Sequence, residues 1–372
     1  MWIIAILGSA SALAESTLAQ IYKKKGKDGQ CYGGPAYYIE AALHSRGLAV
    51  VFCIAMILTY AFGFNMLASY NLQSTFSVFS FYDAKMSPWI IGGILAVLTG
   101  WCLLGGGSRI VKVTSMVVPV MGIAYIGISL LVVIINIQNV PAMFVRIFEE
   151  AFDFKAIFGA FSGSAMMQGI RRGLYSNEAG IGSAPNASAA ANVSHPVKQG
   201  LIQALSVFTD TIVICSCTAF IILLSDLPLD GTLKGIQLTQ AAVGHEIGPF
   251  GAQFIAFCIL LFAFSSIVGN YSYCETNLFF ISRHPAGLQI YRIAVGGMVF
   301  FGSVAGLDIV WNLADLFMAL MTLINLIALI FLGHLALKAL KNYNDQKRRG
   351  IKSPVFKASD IPEIEDQLSE WK

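Results

Sequence analysis

Four carboxyl side chains stand inside long apolar runs of this 372-residue chain, where ionisable groups are costly and often functional. Glu15 and Glu275 lie within about two helical turns of the end of a run. For these two, a structural carboxylate bonded to backbone amides or to a loop arginine is as reasonable as an ion pathway. Asp210 lies deeper and favours an ion pathway, whereas Asp315 could instead cap a helix break after Trp311 and Asn312.

Hydroxyl and amide side chains give further candidates. Ser265 and Ser266 stand in the middle of a run with no charge beside them, so their oxygens could ligate sodium. Spacing alone favours the alternative, in which each serine bonds a carbonyl of its own helix. Asn65 and Ser69 share one helix face, with Asn71 close by, and such a stripe either joins helices or lines a pore.

A run of small and polar residues interrupts the apolar pattern between residues 158 and 200. The apolar segment at 156–170 is too short to cross a bilayer as one helix, which needs roughly 20 residues. Unwound backbone persists at membrane depth only inside protein or along a wet cavity, and broken helices mark transporter substrate sites. The segment therefore predicts a solute site. Alternatively, it is a re-entrant or amphipathic segment whose glycines let helices pack closely.

The composition places these residues in a membrane protein. Hydrophobic residues make up 56% of the chain and charged residues 12%, against roughly 25% charged in a soluble domain. We therefore expect an all-α polytopic membrane protein in contact with the lipid bilayer, with nine crossings including the broken segment. The other eight apolar runs are 2–22, 49–76, 88–107, 113–137, 200–224, 250–281, 289–305 and 307–337.

The basic residues predict an orientation. With Met1 outside, nineteen of the 24 Lys and Arg fall on inner loops and four on outer loops, as expected for cytoplasmic loops. This orientation puts the polar segment after Ile170, including Arg171 and Arg172, in a cytoplasmic loop. The net charge of +3 follows the topology and indicates no nucleic-acid partner. Residues 338–372 are polar and are expected to be a mobile cytoplasmic tail.

Features of an enzyme are missing from the sequence. The five histidines fall in loops or at the ends of runs, so a Ser-His dyad or a zinc site inside the membrane lacks its base or its ligands. The seven cysteines show no metal-ligand spacing, and no cofactor motif is present. We expect no catalytic residues, no cofactor, and no metal beyond sodium.

Several runs resemble the signature of the alanine or glycine:cation symporter family. The resemblance covers nearly the whole chain, and the polar run after Arg172 is its most specific part. The matching runs are 33–39 (GGPAYYI), 172–185 (RGLYSNEAGIGSAP), 195–201 (HPVKQGL), 207–211 (VFTDT) and 262–267 (FAFSSI).

This resemblance implies uptake of alanine or glycine with sodium or a proton as the coupling ion. It also implies the leucine-transporter-like inverted repeat of five plus five helices, in the cell membrane of a prokaryote with a cytoplasmic C-terminus. On that pattern, residues 1–137 are the remainder of the first repeat with four spans. Residues 138–337 are the second repeat with five spans and a broken helix near 156–170, and 338–372 are the tail.

The resemblance also assigns site residues. It places sodium-binding hydroxyls at Ser265 and Ser266, against the reading from spacing alone. Structural or coupling roles fall to Glu15, Asn177, Glu178, Asp210, Glu275 and Asp315. The expected substrate-binding residues are Phe161, Ser162, Gly163, Ser164, Met167, Gln168, Asn65, Ser69 and Asn270.

The chain departs from the family pattern at two places. Asn270 follows Gly269 where the family implies a tryptophan, which changes the expected pocket size and substrate choice. Family members also begin with an outer helix and a first broken helix, and this chain starts at the helix that follows them. We therefore expect roughly 60 to 90 more residues to be encoded upstream, and we expect the 372-residue chain by itself not to transport. The alternative function is a membrane scaffold or binding protein derived from such a transporter.

Overall fold

The computed structural model describes residues 1–26, 29–104, 106–152 and 165–371, with the backbone alone for 106–114 and 165. In these ranges, eight helices are long and apolar enough to cross a membrane, which confirms an all-α polytopic membrane protein. The crossing helices are α1 (Trp2–Ile21), α3 (Arg46–Val78), α4 (Ser87–Leu104), α5 (Gly106–Ile135), α9 (Pro196–Leu224), α11 (Pro249–Ile281), α12 (Pro285–Val304) and α13 (Leu307–Arg348). The shorter elements are β1 (Lys24–Lys25), β2 (Cys31–Tyr32), α2 (Pro35–Ala42), α6 (Val140–Ala151), α7 (Ala165–Asn177), α8 (Ala184–Ala190) and α10 (Ile236–Ile247).

The helices pack in two groups. One group is α1 with α7, α8 and α9, and the other is α3, α4, α11 and α12; α13 contacts both. Small residues allow the close approaches, as is usual where lipid supplies no hydrophobic driving force between helices. A Cβ atom at Gly200 on α9 would lie 2.3 Å from Thr17 Oγ1 on α1. A Cβ atom at Gly302 on α12 would lie 2.4 Å from the Cα of Met66 on α3.

Helices α7 and α8 form one crossing that runs parallel to α1. Gly173 lies against Ile4, Ala179 against Gly8, and Ser188 against Gln20, so the two segments advance in step along the chain. Neither helix is long enough to span alone, because α7 has 13 residues and α8 has 7. This broken helix pair is not among the eight candidate spans of the described residues, so the expected ninth crossing stays a prediction.

The expected cytoplasmic loop after Ile170 is therefore wrong. Residues 171–177 continue α7, and the unwound segment is 178–183, which packs against the middle of α1. Arg172 belongs to the crossing rather than to a loop, because it pairs with Asp315 on α13. Much of the predicted broken segment, including Phe161, Ser162, Gly163 and Ser164, lies outside the described residues.

Helix α13 is continuous over 42 residues, so the helix break that Asp315 was expected to cap does not exist. Residues Trp311 and Asn312 lie inside this helix, one turn before Asp315. The side chain of Asp315 instead forms an ion pair of 2.7 Å with Arg172 on α7. The ion pair thereby connects two helices.

The C-terminal residues fold back onto the end of the molecule where α1 ends. We call this end the Lys23 face. Trp371 Nε1 donates to the carbonyl of Gln20 at 2.9 Å, and the amide of Phe356 donates to the carbonyl of Ser194 at 3.0 Å. The expectation of a mobile tail from residue 338 is wrong, because α13 continues to Arg348 and apolar side chains bury one another beyond it. These side chains are Phe356, Ile361, Ile364, Leu368 and Trp371.

Candidate functional site

The unwound segment 178–183 occupies the middle of the broken crossing. Its backbone enters the left-handed region at Glu178 (φ +51°), Gly180 (φ +80°) and Gly182 (φ +96°). A Cβ atom at Gly182 would lie 2.8 Å from Pro35 Cγ and 2.9 Å from Phe52 Cζ. Glycine is required there by conformation and by space together.

A buried polar network holds this segment open. The amide of Gly180 donates to Glu15 Oε1 at 3.2 Å, and Asn325 Nδ2 donates both to Glu15 Oε2 and to the carbonyl of Gly180, each at 2.9 Å. The hydroxyl of Tyr38 completes the network by donating to Asn325 Oδ1. Both oxygens of Glu15 are therefore used, so this carboxylate fixes the unwound backbone in place.

Two segments of π-helix are close to the break. One covers Ile57–Phe64 in α3 and the other covers Thr209–Ile214 in α9. Such segments often occur at functional sites. Asn65 directly follows the first, and Asp210 lies in the second.

The structure brings Asn65 and Asn270 together. Asn270 Nδ2 donates to Asn65 Oδ1 at 2.9 Å, and Asn65 Nδ2 donates to the carbonyl of Ala61 at 3.3 Å. Ser69 lies on the same face of α3, and its hydroxyl is buried without a hydrogen bond. Amide and hydroxyl groups from α3 and α11 thus meet inside the protein.

Aromatic rings connect this amide pair to the broken crossing. Phe64 lies 4.8 Å from Tyr175 on α7, and Tyr60 lies 5.5 Å from Tyr273 on α11, measured between ring centroids. The hydroxyl of Tyr60 is buried with no partner at ordinary hydrogen-bond length, although it lies close enough to Glu178 and Ser183 to interact with both. A buried donor without a partner is costly, so this wall can accept a polar ligand.

The ion pair of Arg172 with Asp315 lies at the same wall. The guanidinium of Arg172 stacks 4.1 Å from the Trp311 ring, and Trp311 lies 5.1 Å from Tyr175. One guanidinium nitrogen, Nη1, and one carboxyl oxygen, Oδ1, of the pair are buried without hydrogen bonds. They leave one donor and one acceptor available.

A cavity of about 230 Å³ lies between α1, the break and α9. Two of the carboxyl groups that line this cavity accept hydrogen bonds from hydroxyl groups. Ser176 donates to Asp210 Oδ2, and Ser183 donates to Glu178 Oε2 at 2.7 Å. In the part of the chain that the structure describes, no basic side chain forms an ion pair with either carboxyl or with Glu15. The lining residues include Ala12, Glu15, Ser176, Asn177, Glu178, Gln203, Ser206, Asp210 and Tyr273.

Glu275, the remaining predicted carboxyl group, sits in a saturated network between α11 and α12. Tyr271 donates to Glu275 Oε1 at 2.8 Å, Arg292 Nη2 is 4.0 Å from the same oxygen, and Arg292 Nε donates to the Tyr271 hydroxyl at 3.0 Å. This geometry suits the structural interpretation that the sequence left open for Glu275.

Four predicted site residues lie away from the break. Met167 and Gln168 stand near the start of α7, about 10 Å or more along the helix from Tyr175. Ser265 donates its hydroxyl to the carbonyl of Phe262 at 3.0 Å, and Ser266 is exposed. Their roles in substrate and sodium binding stay predictions.

Sequence reasoning did not single out Asn325 and Tyr38, which close the network around Gly180. Asn325 carried a signal, because it is a lone amide in the apolar stretch MTLINLIALIF of α13. Tyr38 lies in the matching run 33–39, but no spacing rule connects it to a residue 287 positions away.

Known proteins resemble this chain over most of its length. The sodium:alanine symporter family matches residues 1–358. The amino-acid carrier protein AlsT of Bacillus subtilis (strain 168) is 47% identical over 367 residues, covering 98% of this chain and 77% of that protein. The sodium/alanine symporter AgcS of Methanococcus maripaludis is 35% identical over 361 residues, covering 95% of this chain and 78% of that protein. The sodium/proton-dependent alanine carrier protein of Bacillus sp. (strain PS3) is 33% identical over 382 residues, covering 96% and 83%.

Proposed function

The chain belongs to the sodium:alanine symporter family, and from that membership we propose that it carries alanine or glycine across the cell membrane, driven by sodium or a proton. Its relatives are transporters rather than enzymes, and the chain itself is a multi-pass membrane protein. The observation that carries the proposal is the break at 178–183, where unwound backbone lies inside a crossing.

The surroundings of the break suit a small zwitterion. An amino acid brings an ammonium and a carboxylate, and both need polar partners when they leave water. Donors and acceptors without hydrogen bonds lie close to the break on three helices: the Tyr60 and Ser69 hydroxyls on α3, Arg172 Nη1 on α7, and Asp315 Oδ1 on α13. We place the substrate between these groups and the Asn65–Asn270 pair.

The aromatic rings favour a small side chain on the substrate. Phe64, Tyr175 and Trp311 are in contact with one another and occupy the space beside the amide pair. A methyl group or a hydrogen fits against such a wall without displacing a ring. A larger side chain would have to move tightly packed rings.

The coupling ion and the membrane orientation are part of the same proposal. Family membership supports sodium, and the name of the Bacillus sp. PS3 relative includes both sodium and a proton. Ser265 and Ser266 are proposed as sodium ligands, with the inverted repeat as the fold and the C-terminus in the cytoplasm.

Uptake into liposomes tests this function. The protein is reconstituted, and labelled alanine is supplied with an inward gradient of sodium or of potassium. Accumulation that requires sodium, and that an ionophore abolishes, is the expected result for a sodium-coupled carrier.

Binding measurements separate the alternative function. A scaffold or binding protein would bind alanine, or another solute, without concentrating it. Alanine binding without accumulation would favour this alternative, and absence of both would overturn the proposed substrate. Ser265→Ala and Ser266→Ala should raise the sodium requirement more than the alanine requirement, because a lost oxygen ligand weakens ion binding first.

A further inference from the structure

The cavity beside the break gathers negative charge without neutralising it. Glu15, Glu178 and Asp210 all line it, and Glu178 interacts electrostatically with both of the others. Three ionised carboxylates in one cavity repel one another, and removing them from water is unfavourable unless each is compensated. None of them has an ion-paired base among the described side chains, so binding a proton would relieve this repulsion.

Asn177 also lines the cavity, and its side-chain amide has an N–H group without a partner. Its Oδ1 accepts the amide of Ala179 at 3.0 Å, which fixes the orientation of the side chain and turns Nδ2 to the other side. The residue is only 7% exposed, it lines the cavity, and Nδ2 has no hydrogen-bond partner. A buried N–H of this kind requires an acceptor, and a water molecule is an acceptor that fits a polar cavity of about 230 Å³.

We propose that this cavity is a proton-binding site, in which Glu178 and Asp210 share one proton that exchanges with water held by Asn177. The inference rests on the proposed function and names its second, proton-dependent step. Glu15 is not the carrier, because both of its oxygens already accept hydrogen bonds from N–H groups. Glu178 and Asp210 instead have hydroxyl neighbours, Ser183 with Tyr60 and Ser176 with Thr211. A hydroxyl oxygen can accept the hydrogen of a protonated carboxyl group, whereas an N–H group cannot.

The position of the two carboxyls couples the proton to the break. Glu178 is the first residue of the unwound segment, and Asp210 lies in the π-helical part of α9. Asp210 accepts a hydrogen bond from Ser176 on α7. Protonation of Asp210 therefore alters a contact with the end of α7 that leads into the unwound segment. The other titratable and charged groups that face this pair are Glu15 and the Met1 amino group on α1, Tyr60 on α3, Arg172 and Tyr175 on α7, Cys215 on α9, and Tyr273 on α11.

Infrared spectroscopy of the reconstituted protein tests the site without relying on transport. A protonated carboxyl group has its own carbonyl stretch, and that band should decrease as the pH is raised. We expect Asp210→Asn and Glu178→Gln each to remove the titrating band. Glu275→Gln is the matched control, because Glu275 is also a carboxyl group within a span but has Arg292 beside it. The control should keep the band.

Three results would overturn the proposal. The band could survive in both cavity variants, it could disappear in the control as well, or sodium at constant pH could remove it in place of alkali, which would make this a sodium site. Thermal unfolding of each variant identifies any that is misfolded, and Ser176→Ala then serves as a second variant that shifts the titration without removing a carboxyl group.

Proton flux links the site to transport. A pH-sensitive dye inside the liposomes should report acidification when alanine is added outside, and Asp210→Asn should abolish this signal while alanine still binds. If the reconstituted protein carries no alanine at all, the proposed function fails, whereas the infrared result stands by itself. Unchanged acidification in Asp210→Asn would refute the coupling.

Discussion

The molecule buries carboxyl groups in two contrasting ways. At the interface of α11 and α12, Glu275 has a tyrosine hydroxyl at 2.8 Å and an arginine at 4.0 Å, so its charge is balanced. In the cavity beside the break, Glu178 and Asp210 have hydroxyl partners alone. These two places therefore differ in whether a cation stands beside the buried carboxyl group, and that difference is what the variants below test.

The polar network of the break should be the most sensitive part of this comparison. Replacing Asn325 with leucine leaves Glu15 Oε2, the Gly180 carbonyl and the Tyr38 hydroxyl each without a partner. Since each buried unpaired group costs about 1–3 kcal/mol, we expect the free energy of unfolding to fall by about 3–5 kcal/mol. Thermal unfolding in detergent measures it.

Thr322→Val on the same helix is the control, because that hydroxyl bonds only the carbonyl of Met318 one turn away. It should change the free energy of unfolding by less than about 1 kcal/mol. If Asn325→Leu were no more destabilising than Thr322→Val, the network would not be what holds the break.

The next largest effect should come from the backbone of the break. Gly182→Ala combines a left-handed conformation with a Cβ atom 2.8 Å from Pro35, so we expect a loss of about 2–4 kcal/mol. Gly231 has a similar φ of +83° in a loop with no atom within 4 Å of the added Cβ. Gly231→Ala should therefore cost only about 1 kcal/mol. Equal melting temperatures for the two variants would show that the break tolerates repacking.

Removing the cation from the balanced site should make it resemble the cavity. Arg292→Leu leaves Glu275 with Tyr271 as its partner, and we expect a loss of about 2 kcal/mol, because both groups are mostly buried. Adding Glu275→Gln should recover part of this loss. Asp210→Asn has no cation to lose, so it should leave the free energy of unfolding within about 1 kcal/mol of wild type. A larger loss in Asp210→Asn than in Arg292→Leu would reverse the comparison.

The smallest effect should come from a histidine outside the membrane, His195, whose charge changes with pH. Burial lowers the pKa of His195, and the hydrogen bond that its Nε2 donates to Asn342 Oδ1 opposes the shift. The folded state thus favours neutral His195, so the stability it contributes is present above the ordinary pKa of about 6.5 and is lost as the pH falls below it. The ring packs on Phe356, so acid should loosen the C-terminal residues.

Limited proteolysis at Lys352 and Lys357 across this pH range measures the loosening. His195→Asn should make the cleavage rate independent of pH without altering the titration of the cavity. Loss of the cavity titration in His195→Asn would mean that the two pH responses are one.

The amino-acid sequence predicted most of the long helices well. Long apolar runs matched α1, α3 and α11 closely, because a span is recognised from length and hydrophobicity alone. A break was expected within 156–170, because that apolar segment is too short to cross a bilayer, and most of it lies outside the described residues. The structure shows unwound backbone at 178–183, and residues 171–177, expected in a loop, are helical because α7 packs against α1 and pairs with α13 through Arg172.

The order of the C-terminal residues was also not predicted from the sequence. Their composition is polar, and Pro354 and Pro362 interrupt any helical period, so nothing local indicates order. Five apolar side chains nevertheless pack on the Lys23 face, where Trp371 also contacts Gln20 and Lys23. Order in such a segment depends on a docking surface that is distant in sequence.

The sequence by itself determined the class of protein, the eight long apolar helices and the carboxyl groups placed within them, because these follow from hydrophobicity and chain length. Only the tertiary structure decided which carboxyl groups have a cation. Asp315 has an arginine 143 residues away, Glu15 has an amide 310 residues away, and Asp210 has a hydroxyl 34 residues away. Charge compensation acts over a few ångströms in space, and the packing of the helices alone sets which residues come that close.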